Sequence, residues 1–164
     1  MSPLPREVVV QMGEYAVVQG EGVLAALGLG SCVAVILHDR HARVAGLAHI
    51  VLPSTSLSRD RDRPARAAET AVPLLVGAMK AEGADAARMV ARLVGGASMF
   101  ANLMAAGTVS MGERNALAAR AALRSAGIPV VGESVGDTYG RSVWFDVRRG
   151  TAVIRSVGRE DRVL

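Results

Sequence analysis

The stretch from residue 22 to residue 37 constrains the fold more than any other part of the chain. It reads Gly-Val-Leu-Ala-Ala-Leu-Gly-Leu-Gly-Ser-Cys-Val-Ala-Val-Ile-Leu. A run this apolar belongs inside a protein. It is too short and too broken by glycine to cross a bilayer, which takes roughly 20 apolar residues. Two buried strands, 24–27 and 32–38, joined by the turn Gly28-Leu29-Gly30-Ser31, satisfy it best. Buried strands need partners on both sides. Residues 7–12, 14–18, 43–52, 88–94, 128–135, 141–147 and 151–157 have the β-branched, alternating character to supply them.

Two segments break this pattern with helical spacing. In 65–82 the residues Ala71, Leu74, Leu75 and Met79 share a face and Gly83 stops the run. Pro73 lies inside it and is expected to kink the helix or mark a restart. Ser110-Met111-Gly112-Glu113 fits a capping box opening a second helix that ends before Gly127. The polar stretch 54–64 is the candidate mobile loop. Strands in runs with two helices interposed predict an α+β fold with mostly antiparallel or mixed sheets, in one domain spanning 1–164. With 3% aromatics, the core must be built from Ala, Val, Leu, Ile and Met.

The single cysteine excludes an internal disulfide and a cysteine-rich zinc site, and a free thiol suits the reducing cytoplasm. The first residues lack a basic segment followed by an apolar one, so no signal peptide and no membrane insertion are expected. A net charge of +4 and a pI near 10.2 invite a nucleic-acid reading. Against it, Arg59, Arg61 and Arg63 alternate with Asp60 and Asp62, and few aromatics are present to stack on bases. An arginine-rich soluble surface is the better reading, and a modest positive surface would still suit an acidic protein partner.

Gly28-Leu29-Gly30 is not a dinucleotide fingerprint, because Val33 replaces the third glycine and a strand follows. The glycines instead shape a turn at Ser31 and Cys32. A lone cysteine is commonly a buried structural thiol. At a strand end it can also be a nucleophile, with backbone N–H groups of Ser31 and Cys32 as an oxyanion hole, and its thiol is then expected to titrate low. His38 and His41 fall in a polar turn and are expected to be solvated. His49 lies in the apolar strand and can approach Cys32 across the sheet as its base. Three histidines and one cysteine show no zinc-ligand spacing, and no cofactor is implied. Ser98 suits either a pocket or a plain turn.

Leu27-Gly28-Leu29-Gly30-Ser31-Cys32-Val33-Ala34-Val35 resembles the signature of the CheD family of chemoreceptor glutamine deamidases. Further matching blocks follow in order. They are Gly13-Glu14-Tyr15, Ala48-His49 with Leu52-Pro53, Thr70-Ala71, Gly95-Gly96-Ala97-Ser98-Met99-Phe100, Gly112 with Arg114-Asn115, and Gly140-Arg141-Ser142-Val143. The resemblance implies a four-layer α/β/β/α sandwich like that of deamidating toxins. It implies hydrolysis of glutamine side chains on methyl-accepting chemotaxis receptors, and a CheC-type phosphatase as second partner. Cys32 and His49 fall on the family's nucleophile and base. Ala26 stands where the family often carries a threonine counted as a third catalytic residue, and the Ala26 carbonyl is expected to orient His49 in its place. The stretch 134–137 also departs from the family pattern. Rival readings are a non-catalytic module regulating CheC and receptors, and a cysteine hydrolase of small amides.

Overall fold

The computed structural model describes residues 5–57 and 63–164. Among these, ten strands and two α-helices occur in the order β1 (Glu7–Val9), β2 (Tyr15–Gln19), β3 (Val23–Leu29), β4 (Val33–Asp39), β5 (Val44–Ile50), α1 (Ala68–Ala81), β6 (Val90–Gly95), α2 (Met111–Ser125), β7 (Val130–Val135), β8 (Arg141–Asp146), β9 (Thr151–Arg155) and β10 (Arg162–Val163). The strands form two five-stranded sheets, ordered β1-β3-β8-β9-β10 and β2-β5-β4-β6-β7. Each is mixed: β1 runs parallel to β3 and β6 parallel to β7, while the other pairs are antiparallel. The predicted α+β class is therefore observed.

Strand alternation divides the core in two. Val33, Val35 and Leu37 of β4, with Ala48 and Ile50 of β5, pack under Ala71, Val72, Leu75 and Met79 of α1 and Ala116, Ala119 and Leu123 of α2. Ala34, Ile36, Ala45 and Leu47 face the opposite way. They meet Leu24, Ala26, Val143, Phe145 and Ile154 of the other sheet. Both helices thus cover one face of one sheet, and the described residues stack as helices, sheet, sheet. This three-layer order corrects the expected four layers. The outer face of the first sheet carries half-buried Val23, Ser142, Trp144 and Val153, and no described helix lies over it.

Several boundaries also differ. β3 continues through Gly28 to Leu29, with a bulge in its pairing to β8 between Ala26 and Leu29. α1 is one helix with Pro73 inside it, so the expected restart is absent. The short β10 has too few residues for a period to show in the sequence. The Ser110 cap is present: its hydroxyl accepts the Glu113 N–H at 3.1 Å. Residues 58–62, with the alternating charges at 59–62 and much of the expected loop, lie outside the described residues.

Candidate active site

Cys32 leads into β4 and His49 sits near the end of β5. In the antiparallel β4–β5 pair, His49 lies opposite Ala34, and Cys32 is two residues before Ala34. The two side chains therefore share the face turned toward the other sheet and are diagonal neighbours. Both line a cavity of about 210 Å³, with walls from Val9, Val10, Gln11, Met12, Leu27 and Gly28. A larger concavity of about 650 Å³ lies between α1 and α2. It is lined by residues such as Pro73, Val76 and Ala122, and neither a cysteine nor a histidine is among its lining residues.

The imidazole is held from the first sheet. Val10 donates its N–H to the Ala25 carbonyl at 2.8 Å, and its own carbonyl lies 2.9 Å from His49 Nδ1. A carbonyl can only accept, so Nδ1 carries the hydrogen and Nε2 keeps its lone pair. This corrects the expectation that Ala26 orients the ring. Successive carbonyls of a strand point to opposite edges. The Ala25 carbonyl faces β1, so that of Ala26 faces β8, where Ala26 pairs with Val143. The sequence alone gave no reason to single out Val10, because the contact uses its backbone and any side chain would allow it.

The Gly30–Cys32 turn is pinned by its carbonyls. Gly30 accepts from Ala97 N–H and Cys32 from Gly96 N–H, both at 2.8 Å. Ser31 accepts from the Asn115 side-chain amide at 2.9 Å. The N–H groups of Ser31 and Cys32 make no hydrogen bond among the described residues. Glycine makes this pinning possible. Gly95 has φ +116°, and a Cβ there would lie 2.2 Å from the Cys32 carbonyl oxygen. A Cβ at Gly112 would lie 2.3 Å from the Ala97 carbonyl oxygen, so the first turn of α2 sits directly on the turn that grips Cys32. Gly95, Gly112 and Asn115 belong to blocks visible in the sequence, yet their roles appear only once α2 is placed.

Burial sets the electrostatics. It pushes the half-buried Cys32 thiol up, against the low value expected from sequence. Burial likewise lowers His49, which is 4% exposed; its bond to Val10 and the nearby Glu14 charge offset this in part. No hydrogen bond joins the thiol to the imidazole among the described residues. At rest the proton therefore stays on sulfur and the ring is neutral. His38 also corrects expectation. It is buried, edge-on to Phe145 with centroids 5.1 Å apart, while His41 is exposed. Ser98 bonds the Ser110 hydroxyl at 2.5 Å at the start of α2 and does not line the cavity. Arg141, fully buried, donates to the Ser134 and Gly136 carbonyls and braces the β7–β8 loop, which accepts the Ser98 N–H through Asp137. Among the described residues no cluster of His, Cys, Asp and Glu is arranged to hold a metal, and no helix is long and apolar enough to cross a membrane.

A mixed two-sheet α+β protein with a Cys–His cavity between its sheets is thus defined. The family described as CheD chemotactic sensory transduction matches residues 51–156. A Moorella thermoacetica protein named probable chemoreceptor glutamine deamidase CheD is 41% identical, covering 98% of this chain and 96% of its own length. A Thermotoga maritima protein named chemoreceptor glutamine deamidase CheD is 39% identical, covering 92% of each. One from Caldanaerobacter subterraneus, named as the first is, is 37% identical over 91% of this chain and 92% of its own. The chain belongs to the CheD family.

Proposed function

We propose that this chain deamidates glutamine side chains of chemotaxis receptors, with Cys32 as nucleophile and His49 as base. The observation that carries the reading is the pairing of Cys32 and His49 in one cavity, in a chain whose relatives bear the deamidase name. The cavity has room for a side-chain carboxamide, so a glutamine projecting from a protein surface fits it.

Because the thiol is neutral at rest, attack and proton transfer are coupled. His49 Nε2 takes the thiol proton as sulfur bonds to the carboxamide carbon. The oxyanion is received by the free N–H groups of Ser31 and Cys32. The C–N bond then breaks, ammonia leaves with the proton held by His49, and a thioester remains. Water attacks the thioester while His49 takes a proton from it. Glutamate is released and the proton returns to sulfur. One amide and one water give one carboxylate and one ammonium.

The same reading places the protein in the cytoplasm, where its thiol stays reduced, and gives it a CheC-type phosphatase as second partner. Likeness to the deamidating toxins then lies in the Cys–His pair rather than in a fourth layer. The net charge of +4 favours encounter with acidic receptor helices, so association slows as salt rises. The raised thiol favours one alternative, a module that binds receptors and CheC without turnover. Ammonia release from purified receptor fragments, lost in Cys32→Ala, supports deamidation; binding without ammonia release supports the module.

A further inference from the structure

We propose that Asn115 is a positioning residue that aims the Cys32 N–H at the oxyanion. This rests on the deamidase reading above. Asn115 lies on the buried face of α2 and is fully buried. Its side-chain nitrogen donates both protons, to the Ser31 carbonyl at 2.9 Å and to the Val51 carbonyl at 3.0 Å. The β4–β5 ladder ends at the pair Val33–Ile50. Asn115 therefore bridges the two strands just past their last rung, between the nucleophile turn and the strand that carries His49.

The bond to Ser31 acts on Cys32 through the peptide plane. In a trans peptide the C=O of one residue and the N–H of the next lie in one plane and point opposite ways. Fixing the Ser31 carbonyl toward α2 fixes the Cys32 N–H away from it. A carbonyl that accepts a hydrogen bond also polarises its peptide, making that N–H a stronger donor. The Ala97 N–H, bonded to the Gly30 carbonyl, acts in the same way on the Ser31 N–H, so the two donors are set by one device.

The chemistry of the site asks for this side chain. Two converging carbonyls beside a fully buried side chain are matched by a neutral group with two donors, which asparagine supplies. The arrangement leaves Asn115 Oδ1 buried without a partner. An unpaired buried oxygen is destabilising. A spacer needed only for packing would carry no such atom, so the donors are what the position requires.

The test separates aim from packing. Deamidation passes through an oxyanion; alkylation of Cys32 by iodoacetamide is displacement at a saturated carbon and does not. In Asn115→Ala and Asn115→Ser, kcat for receptor-fragment deamidation should fall about tenfold to a hundredfold, with KM and the alkylation rate in alkaline buffer unchanged within about twofold. Parallel loss of alkylation and deamidation, or an unchanged kcat, overturns the proposal. Should both variants fail to fold, hydrogen exchange on the wild-type protein decides. The Asn115 side-chain amide protons should then exchange slowly and the Cys32 amide fast; a protected Cys32 amide overturns the proposal. If Cys32→Ala still deamidates, the nucleophile reading fails instead, and the exchange result stands apart from it.

Discussion

Replacing Gly95 with alanine puts a methyl group 2.2 Å from the Cys32 carbonyl oxygen, more than an ångström inside ordinary contact. The backbone at φ +116° is also one that a side chain resists. Backbone strain of this kind costs about 1–3 kcal/mol and overpacking a similar amount. Together they predict a loss of about 4 kcal/mol, or about 12 °C in Tm for a chain of this length. Gly20→Ala is the control: its φ is +83°, but a Cβ there meets nothing within 4 Å, so strain acts alone. Urea unfolding of both variants gives the difference. Deamidation by Gly95→Ala, measured where it remains folded, should also fall, because the Gly96 bond to Cys32 is displaced with the carbonyl. If Gly95→Ala is no less stable than Gly20→Ala, the close approach of the 95–97 turn to Cys32 is wrong.

His49 is held below its ordinary value of 6.5 by burial, so the neutral base persists through neutrality. Plotted against pH, kcat/KM should hold to below that value and then drop as the ring protonates; an acid limb centred above it contradicts the burial argument. His38 is lowered too, so both rings favour the fold while neutral. That stability is complete above the unfolded value and is lost as pH falls through the lower folded ones, which urea midpoints at a series of pH values should show and His38→Gln should lessen. Arg141→Met leaves the Ser134 and Gly136 carbonyls without their donor; a loss of about 2 kcal/mol is expected by thermal unfolding, and a loss below experimental error would mean that the brace is idle. Because Val10 rather than Ala26 holds His49, Ala26→Thr should alter kcat/KM by less than about tenfold, as steady-state kinetics would show.

The α+β class, most of the strands and both helices were legible because each has a period that burial enforces. The apolar run at 22–37 had to be internal, and Ala71, Leu75 and Met79 had to face a sheet, although Leu74 of the same expected face is only half-buried. The Cys32–His49 juxtaposition was legible as a pair of neighbouring strands joined by a short turn. What escaped was whatever depends on backbone groups or on the third dimension. Val10 acts through a carbonyl, which leaves no mark on residue type. The rise of the Cys32 thiol comes from burial where the first sheet closes over it, and His38 is buried because the β8–β9 region covers a strand end that looked like a turn. The layer count was carried from family likeness rather than from this chain's own helices, of which the described residues hold only two.

The account rests on a thioester between Cys32 and the receptor glutamine. Mass spectrometry of protein quenched in acid during turnover of a receptor fragment tests this directly, using His49→Ala beside the wild type. The wild type should carry a fragment-sized adduct on the Cys32 peptide that hydroxylamine removes, and the released fragment should hold glutamate where glutamine stood. Glutamate formation with no adduct, or undiminished formation by Cys32→Ala, would contradict it.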